Sequence, residues 1–516
     1  IRQCVGVPSL AIRLIPDDTL NIKQFGATGD GSTDDHKFIQ AALDYGYENN
    51  ADVFAPSGTY HCYLPLIVGS NFYGAGDDTL IEFPEGFVKD PSVTDDRRYF
   101  VMWNKNYSKI YDDETADKFE IHNMKIHVSM LDSEPILNNI LGTANTKGVD
   151  IHHCTISSDD LALPKPGART CLSFYDANKN LMLHHNNVHN NNTRNGGGCI
   201  WVQGGSGTTL DDPQASENIR IYENNIYQTR PDDGDEAIAL WGSGGVLKNV
   251  RAYKNTLYLN GGGQGVTAFN TPSPATVGGL VDDIKYTENT FYTTLNTNVI
   301  RIGGQYLSDG ITNIEASRNT IYCKSENTTQ SYGIRVTQTG GDIIINDNEI
   351  CNIGTGQMSK GIAGYGVFNN KTCAKGNIIT GNFQSGLSFV YYASANKVKS
   401  AVFGLSDCVV CKNNELIDIV TYGARTTVDE DFVFDGNTGN ILSGGSYPIY
   451  QTSASSGGAS IKNNEFSTVE ASVAPILLQG SGSHRVQINT FTGSGGSPTI
   501  GNLLISTDND YYGIIA

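Results

Sequence analysis

The densest group of side chains able to do chemistry is the run Arg230-Pro231-Asp232-Asp233-Gly234-Asp235-Glu236. Hydrolysis of a glycosidic bond requires two carboxyl groups about 5 to 9.5 Å apart, one to protonate the leaving oxygen and one to act as base or nucleophile. Crowded carboxylates raise one another's pKa, as a proton donor requires. Glu236 and Asp233 are the expected catalytic pair, with Asp235 and Asp160 as substitutes. Trp201 and Trp241 follow corresponding turns and offer flat apolar faces to sugar rings. Phe269, Arg230, Gln264, Arg301 and Arg335 complete the expected substrate contacts. The acidic turn could instead be a solvated surface or hold a cation. Arg301 and Arg335 suit a different reaction, β-elimination, in which a cationic group neutralises a uronate carboxylate while a base removes the neighbouring proton. His184 and His185 read as surface residues with an occasional substrate role. Asp211, Asp212, Asp282 and Asp309 could complete a pair formed between protomers.

These residues must be positioned by a repeat. Between residues 119 and 491 an apolar residue, a second two later, Asn five later and a third apolar residue seven later recur. Leu181-Leu183-Asn186-Val188, Ile219-Ile221-Asn224-Ile226 and Ile343-Ile345-Asn348-Ile350 are examples. The Asn spacing varies while the kernel stays constant, which is the mark of a stacked solenoid with variable loops. Two alternating segments around an Asn bend predict two short strands per turn. Asn tolerates left-handed geometry at such a bend, and stacked amides can bond along the stack. A further strand row precedes each kernel. Its outward positions are expected to be Ser173, Trp201, Ala239, Thr267, Arg301 and Arg335, then Tyr175, Gln203, Trp241, Phe269, Gly303 and Thr337, with both tryptophans facing solvent. Glycines on either side of the acidic turn are expected to clear a groove.

Composition agrees. The 516 residues include 58 glycines, only 17% charged residues and a net charge of −19, which argues against nucleic-acid binding. No apolar run approaches the length of a membrane span. Ten cysteines form no disulfide framework, the lone pair Cys408/Cys411 reads as two small strand residues, and no motif for a metal or cofactor stands out. The start at Ile1, with no leader sequence, suits a chain whose N-terminal part has been removed.

Residues 20–81 carry a separate signal. Phe25-Gly26-Ala27-Thr28-Gly29-Asp30-Gly31-Ser32-Thr33-Asp34-Asp35 predicts a strand, a glycine turn and a capped helix start, with Phe38, Ile39, Ala42 and Leu43 marking one face of a short helix. Pro56-Ser57-Gly58-Thr59-Tyr60 and Gly74-Ala75-Gly76 follow. This segment resembles the opening of the pectate-lyase-like superfamily, FGA-x-GDG-x-TDD followed by a helix, P-x-G-x-Y and G-x-G; His36 stands where Thr is commoner. The resemblance implies an all-β, right-handed parallel β-helix with a short N-terminal capping helix. Within it the polar, Asn-rich rungs look most like bacteriophage tailspikes that depolymerise capsule or O-antigen. That resemblance implies a homotrimer in a virion tail, bacterial surface polysaccharide as partner, and attachment to the baseplate through an N-terminal part. Asp-Glu-Ala-Ile-Ala-Leu is also similar to a strand of polygalacturonase-type hydrolases, although Gln264 stands where those have His. The expected parts are residues 1–118 (strand, capping helix, first rungs), 119–420 (main β-helix) and 421–516 (irregular rungs and end). The expected activity is endo-glycosidic hydrolysis, with lyase or non-cleaving receptor spike as alternatives.

Overall fold

The computed structural model describes residues 19–88, 93, 100–129, 139–158, 170–190, 198–229, 236–242, 244–260, 264–269, 279–294, 298–303, 310–325, 329–337, 340–364, 372–427, 431–442, 447–451, 458–468, 476–478, 484–487, 489–493 and 504–505. Among these, 47 strands form one continuous parallel ladder, and over most of its length each strand pairs with the one three places on in sequence. The molecule is therefore a right-handed parallel β-helix with three strands to a turn. Face A contains Ile200–Gln203, Ile238–Trp241, Val266–Phe269, Asn298–Ile302 and Thr329–Val336. Face B contains Met182–His184, Ser216–Tyr222, Val246–Tyr253, Leu280–Thr287 and Ile311–Ser317. Face C contains Thr155–Ser158, Asn187–Asn190, Asn225–Thr229, Thr256–Asn260, Thr290–Thr293 and Thr320–Cys323.

The repeat kernel spans face B, a corner and face C. Its apolar members, such as Ile219, Ile221 and Ile226, have no accessible surface and stack on their equivalents along one core. Each buried ladder Asn donates from Nδ2 to a core-strand carbonyl and to the next Asn. Asn255 Nδ2 lies 2.8 Å from Ile221 O and 2.9 Å from Asn289 Oδ1, and its Oδ1 accepts from Asn224 N and Nδ2 at 3.1 and 2.9 Å. The same bonding links Asn186 through Asn464 to Asn489.

The left-handed residue is not the ladder Asn. It is the residue before it: His185, Glu223, Lys254, Glu288, Arg318 and Asp347, all with φ between 54 and 59°; His153, with φ 53°, likewise precedes Cys154, which holds the Asn position of its rung. The bend points that side chain to solvent, where charge is favourable. His185 Nε2 sits 2.8 Å from Glu223, and Arg318 3.1 Å from Glu288. The ladder Asn then turns inward to satisfy backbone groups that the corner would otherwise strand.

The N-terminal signature folds as a turn network beneath helix α1 (His36–Asn49). Buried Asp35 accepts from Thr28 N at 2.7 Å and Gly29 N at 3.0 Å instead of capping the helix, and Asp34 takes the His36 N–H at 3.1 Å. Asp30 holds Ser32 N and Thr33 N, which keeps its carboxyl well below the usual range. α1 runs six residues past the expected end at Leu43. Gly46 lets it pack on: a β-carbon there would lie 2.8 Å from Ala51 O and 2.9 Å from Val53. Asn50, with φ 52°, ends it. The apolar face, Ile39, Ala42 and Leu43, covers the first rung.

Candidate functional site

Face A carries the sequence-predicted residues in the expected register. Ser173 pairs with Trp201, Trp201 with Ala239, Ala239 with Thr267, Thr267 with Arg301, and Arg301 with Arg335. Gln203, Trp241 and Phe269 form the adjoining row, and only the backbone of Phe269 is described. The row is less open than expected. Ser173, Ala239 and Thr267 have no accessible surface, and both tryptophans are half-buried rather than solvent-facing. Trp201 and Trp241 meet diagonally across neighbouring rungs, with centroids 4.5 Å apart and planes tilted by 42°. Each indole therefore shields part of the other's face.

Beside these strands runs a second polar row. Glu236, Gln264 and Asn298 each stand two residues before the paired positions Ile238, Val266 and Ile300, so they stack on three successive rungs. Glu236 is 6% exposed, so it lies beneath the surface rather than standing free in a groove. Gly198 sits under it: a β-carbon there would fall 1.8 Å from Glu236 O, so close backbone packing, not groove clearing, demands that glycine. The Glu236 charge is felt on both sides of the sheet. In the core, burial pushes the Tyr286 phenol well up and Glu236 adds to it. On the face, burial and then the like charge of Arg335 lower the Arg301 guanidinium, while Glu236 opposes them. Gln264 Oε1, Asn298 Oδ1, Thr267 Oγ1 and Trp201 Nε1 are buried with no hydrogen-bond partner among the described residues.

Asp160, Arg230, Asp233 and Asp235 lie outside the described residues, as does Asp309. Asp212 and Asp282 are engaged elsewhere. Asp212 accepts from Thr208 N and Gln214 N at 3.1 and 2.9 Å, and Asp282 from Asn313 Nδ2 at 2.7 Å. Both hold turns together. Cys408 and Cys411 are buried free thiols; Cys411 lies in the strand Val410–Lys412 as expected, whereas Cys408 stands in the turn before it.

Sequence reasoning singled out His184 and His185 but missed the array to which they belong. On face B, Tyr73, His122, His152, His184, Tyr222 and Tyr253 stack with centroids 4.7 to 5.0 Å apart. Face C carries a second ladder, from His189 through Tyr227, Tyr258 and Tyr292 to Tyr322. The signal was present in the kernels, where each of these tyrosines falls three residues after a ladder Asn. Rings stacked face to face cover each other and present only edges to a ligand, so these ladders serve the solenoid rather than sugar stacking. Burial lowers His152 to about 4, and burial beside Glu120 raises Asp150 to about 6. Next to this array, Arg220, Arg251 and Lys285 line a groove of about 830 Å³, with Arg251 bound to Asp283 at 2.6 Å and Lys285 to Glu315 at 3.3 Å. No helix among the described residues is long and apolar enough to cross a membrane.

A β-helix with a helix-capped first rung and a polar, aromatic outer row defines the pectate-lyase-like class. The model for "rhamnogalacturonase A/epimerase, pectate lyase-like" matches residues 19–277, half of the chain, and the protein belongs to that family. Alginate lyase 7 of Azotobacter vinelandii is 41% identical over 78 residues, which is 13% of this chain and 9% of that protein's length. The catalytic unit of a GH87 alpha-1,3-glucanase from Streptomyces thermodiastaticus is similar in structure, with 14% identity, 92% of this chain and 70% of that one covered, and a TM-score of 0.40. So is the tailspike of Pseudomonas phage phi297, with 12% identity, 82% and 81% covered, and a TM-score of 0.35. The A-module of an Azotobacter vinelandii mannuronan C-5 epimerase gives 14% identity, 92% and 100% covered, and 0.32.

Proposed function

We propose that the protein binds a bacterial surface polysaccharide along face A and cleaves it by glycosidic hydrolysis, as the depolymerising tailspike of a bacteriophage. Membership of the pectate-lyase-like family supports action on a polysaccharide. The observation that carries the reading is the set of buried polar atoms on one stretch of face A, Trp201 Nε1, Gln264 Oε1 and Asn298 Oδ1, that find no hydrogen-bond partner among the described residues. An unmade hydrogen bond at a buried group costs about 1 to 3 kcal/mol, and a chain of sugar hydroxyls supplies donors and acceptors at the spacing of rungs. In this reading Glu236 is the group that protonates the leaving oxygen. Asp233 is its partner, with Asp235 and Asp160 as substitutes. Arg230 and Phe269 extend the contacts, and the active form is a homotrimer carried on the phage tail.

Arg301 and Arg335 favour a second reading. Two guanidiniums one rung apart, with Arg301 largely desolvated, form a seat for a sugar carboxylate, the requirement of β-elimination. Purified polysaccharide separates the readings. Hydrolysis releases reducing ends with no change near 235 nm; elimination releases them with rising absorbance; a receptor spike releases none. Replacing Glu236 by Gln should reduce turnover by at least a thousandfold, the upper range for a general acid combined with loss of charge control, while leaving the fold intact. Unchanged cleavage by E236Q would remove Glu236 from the chemistry.

A further inference from the structure

Face B carries a second group of reactive side chains, separate from the glycan-binding row. Glu120 pairs with Asp150 and His122 with His152 on neighbouring rungs, and Asp150 pairs with Met182 and His152 with His184 on the next. One oxygen or nitrogen from each of Asp150, His152 and His184 lies within 4.8 Å of the others, and all three residues are half-buried. We propose that Asp150, His152 and His184 bind one divalent transition-metal ion of the zinc or nickel kind.

Three observations carry the proposal. The first is the state of Asp150 Oδ1, which is buried and has no hydrogen bond although His184 Nε2 is 3.1 Å away. A carboxylate oxygen and a ring nitrogen that face each other at this distance without bonding geometry have the arrangement of two ligands of one ion. The second is tautomer control. His152 Nδ1 lies 2.8 Å from His153 Nδ1, and His184 Nδ1 lies 2.8 Å from His185 Nδ1. If both inner rings donate from Nδ1, their Nε2 lone pairs are left for a metal. His185 then uses its remaining N–H on Glu223, 2.8 Å away. The two inner rings are thus held as neutral imidazoles by their neighbours, which is the outer-shell support that metal-bound histidines ordinarily have. The third is ligand type. Two imidazoles and one carboxylate suit zinc, nickel or copper, whereas calcium and magnesium require oxygen cages. The rings of His152 and His184 stack with centroids 4.8 Å apart. An ion about 2.1 Å from each nitrogen must lie near the plane of each ring, so binding turns the two rings out of the stack.

The test is titration of the metal-stripped protein with zinc chloride, followed by calorimetry, with metal content after dialysis measured by elemental analysis. The expected result is one equivalent per chain. His184→Gln and Asp150→Asn should each weaken binding at least thirtyfold, and His185→Gln about tenfold through loss of outer-shell support. His122→Gln, which leaves the triad intact, should change it less than threefold. Cobalt should give visible ligand-field bands that zinc abolishes, a readout in the unsubstituted protein that does not depend on how the variants fold. Absence of saturable binding, zinc binding equal in His184→Gln and the parent, or loss of binding in His122→Gln would each overturn the site. None of these outcomes bears on glycan cleavage at face A.

Discussion

In the proposed reading Glu236, Trp201 and Arg301 have different parts on face A. Glu236 would act from beneath the surface, where it is 6% exposed. Its replacement should therefore affect kcat. Trp201 supplies contact area, so Trp201→Ala should raise KM roughly tenfold and leave kcat within about threefold, as measured on soluble polysaccharide fragments. Equal loss in both constants would mean that the Trp201–Trp241 pair orders the catalytic residues instead. Arg301→Gln separates substrate classes: it should weaken an acidic glycan strongly and a neutral one little.

At the scale of elements, the corner controls stability. Asn255→Ala removes four hydrogen bonds and strands the Ile221 carbonyl, at a cost of about 3 kcal/mol. Asn225, one residue after the ladder Asn224 of the neighbouring rung, is exposed and its side chain donates to Asn187 at 3.0 Å, so its substitution by Ala should cost under about 0.5 kcal/mol. Thermal unfolding of the two variants checks the contrast; equal midpoints would contradict it. Backbone contact sets a second limit. A β-carbon at Gly205 would lie 1.7 Å from Gln214 O, whereas one at Gly148 would meet only the Lys118 side chain at 3.0 Å. Gly205→Ala should lose folded protein and Gly148→Ala should not, as judged by soluble yield and circular dichroism. The kernel made this corner legible because an invariant spacing within variable loops admits few folds. The position of the left-handed residue was not legible, since His185, Glu223 and Lys254 share no propensity for it. It is forced by the inward turn of the following Asn. Burial of Glu236 was also hidden, because an acidic run reads as exposed until a glycine on the neighbouring rung is known to lie against its backbone.

For the whole molecule, continuous pairing from the capped first rung to Leu504–Ile505 makes one core of a chain whose length alone suggested several. The side chains separate by face: the Trp201–Arg335 row on A, the histidine array on B, and stacked tyrosines on C. Such separation comes readily to a solenoid, where one position in each repeat projects the same way along the whole axis. Membership of the pectate-lyase-like family agrees with action on a polysaccharide. The most direct measurement is digestion of purified O-antigen and capsular polysaccharides by the parent chain and by E236Q, with reducing ends and absorbance near 235 nm followed together. Glycosidic hydrolysis at face A predicts reducing ends from the parent, none from E236Q, and a flat absorbance trace. Reducing ends from both proteins, or a rising trace, would contradict it.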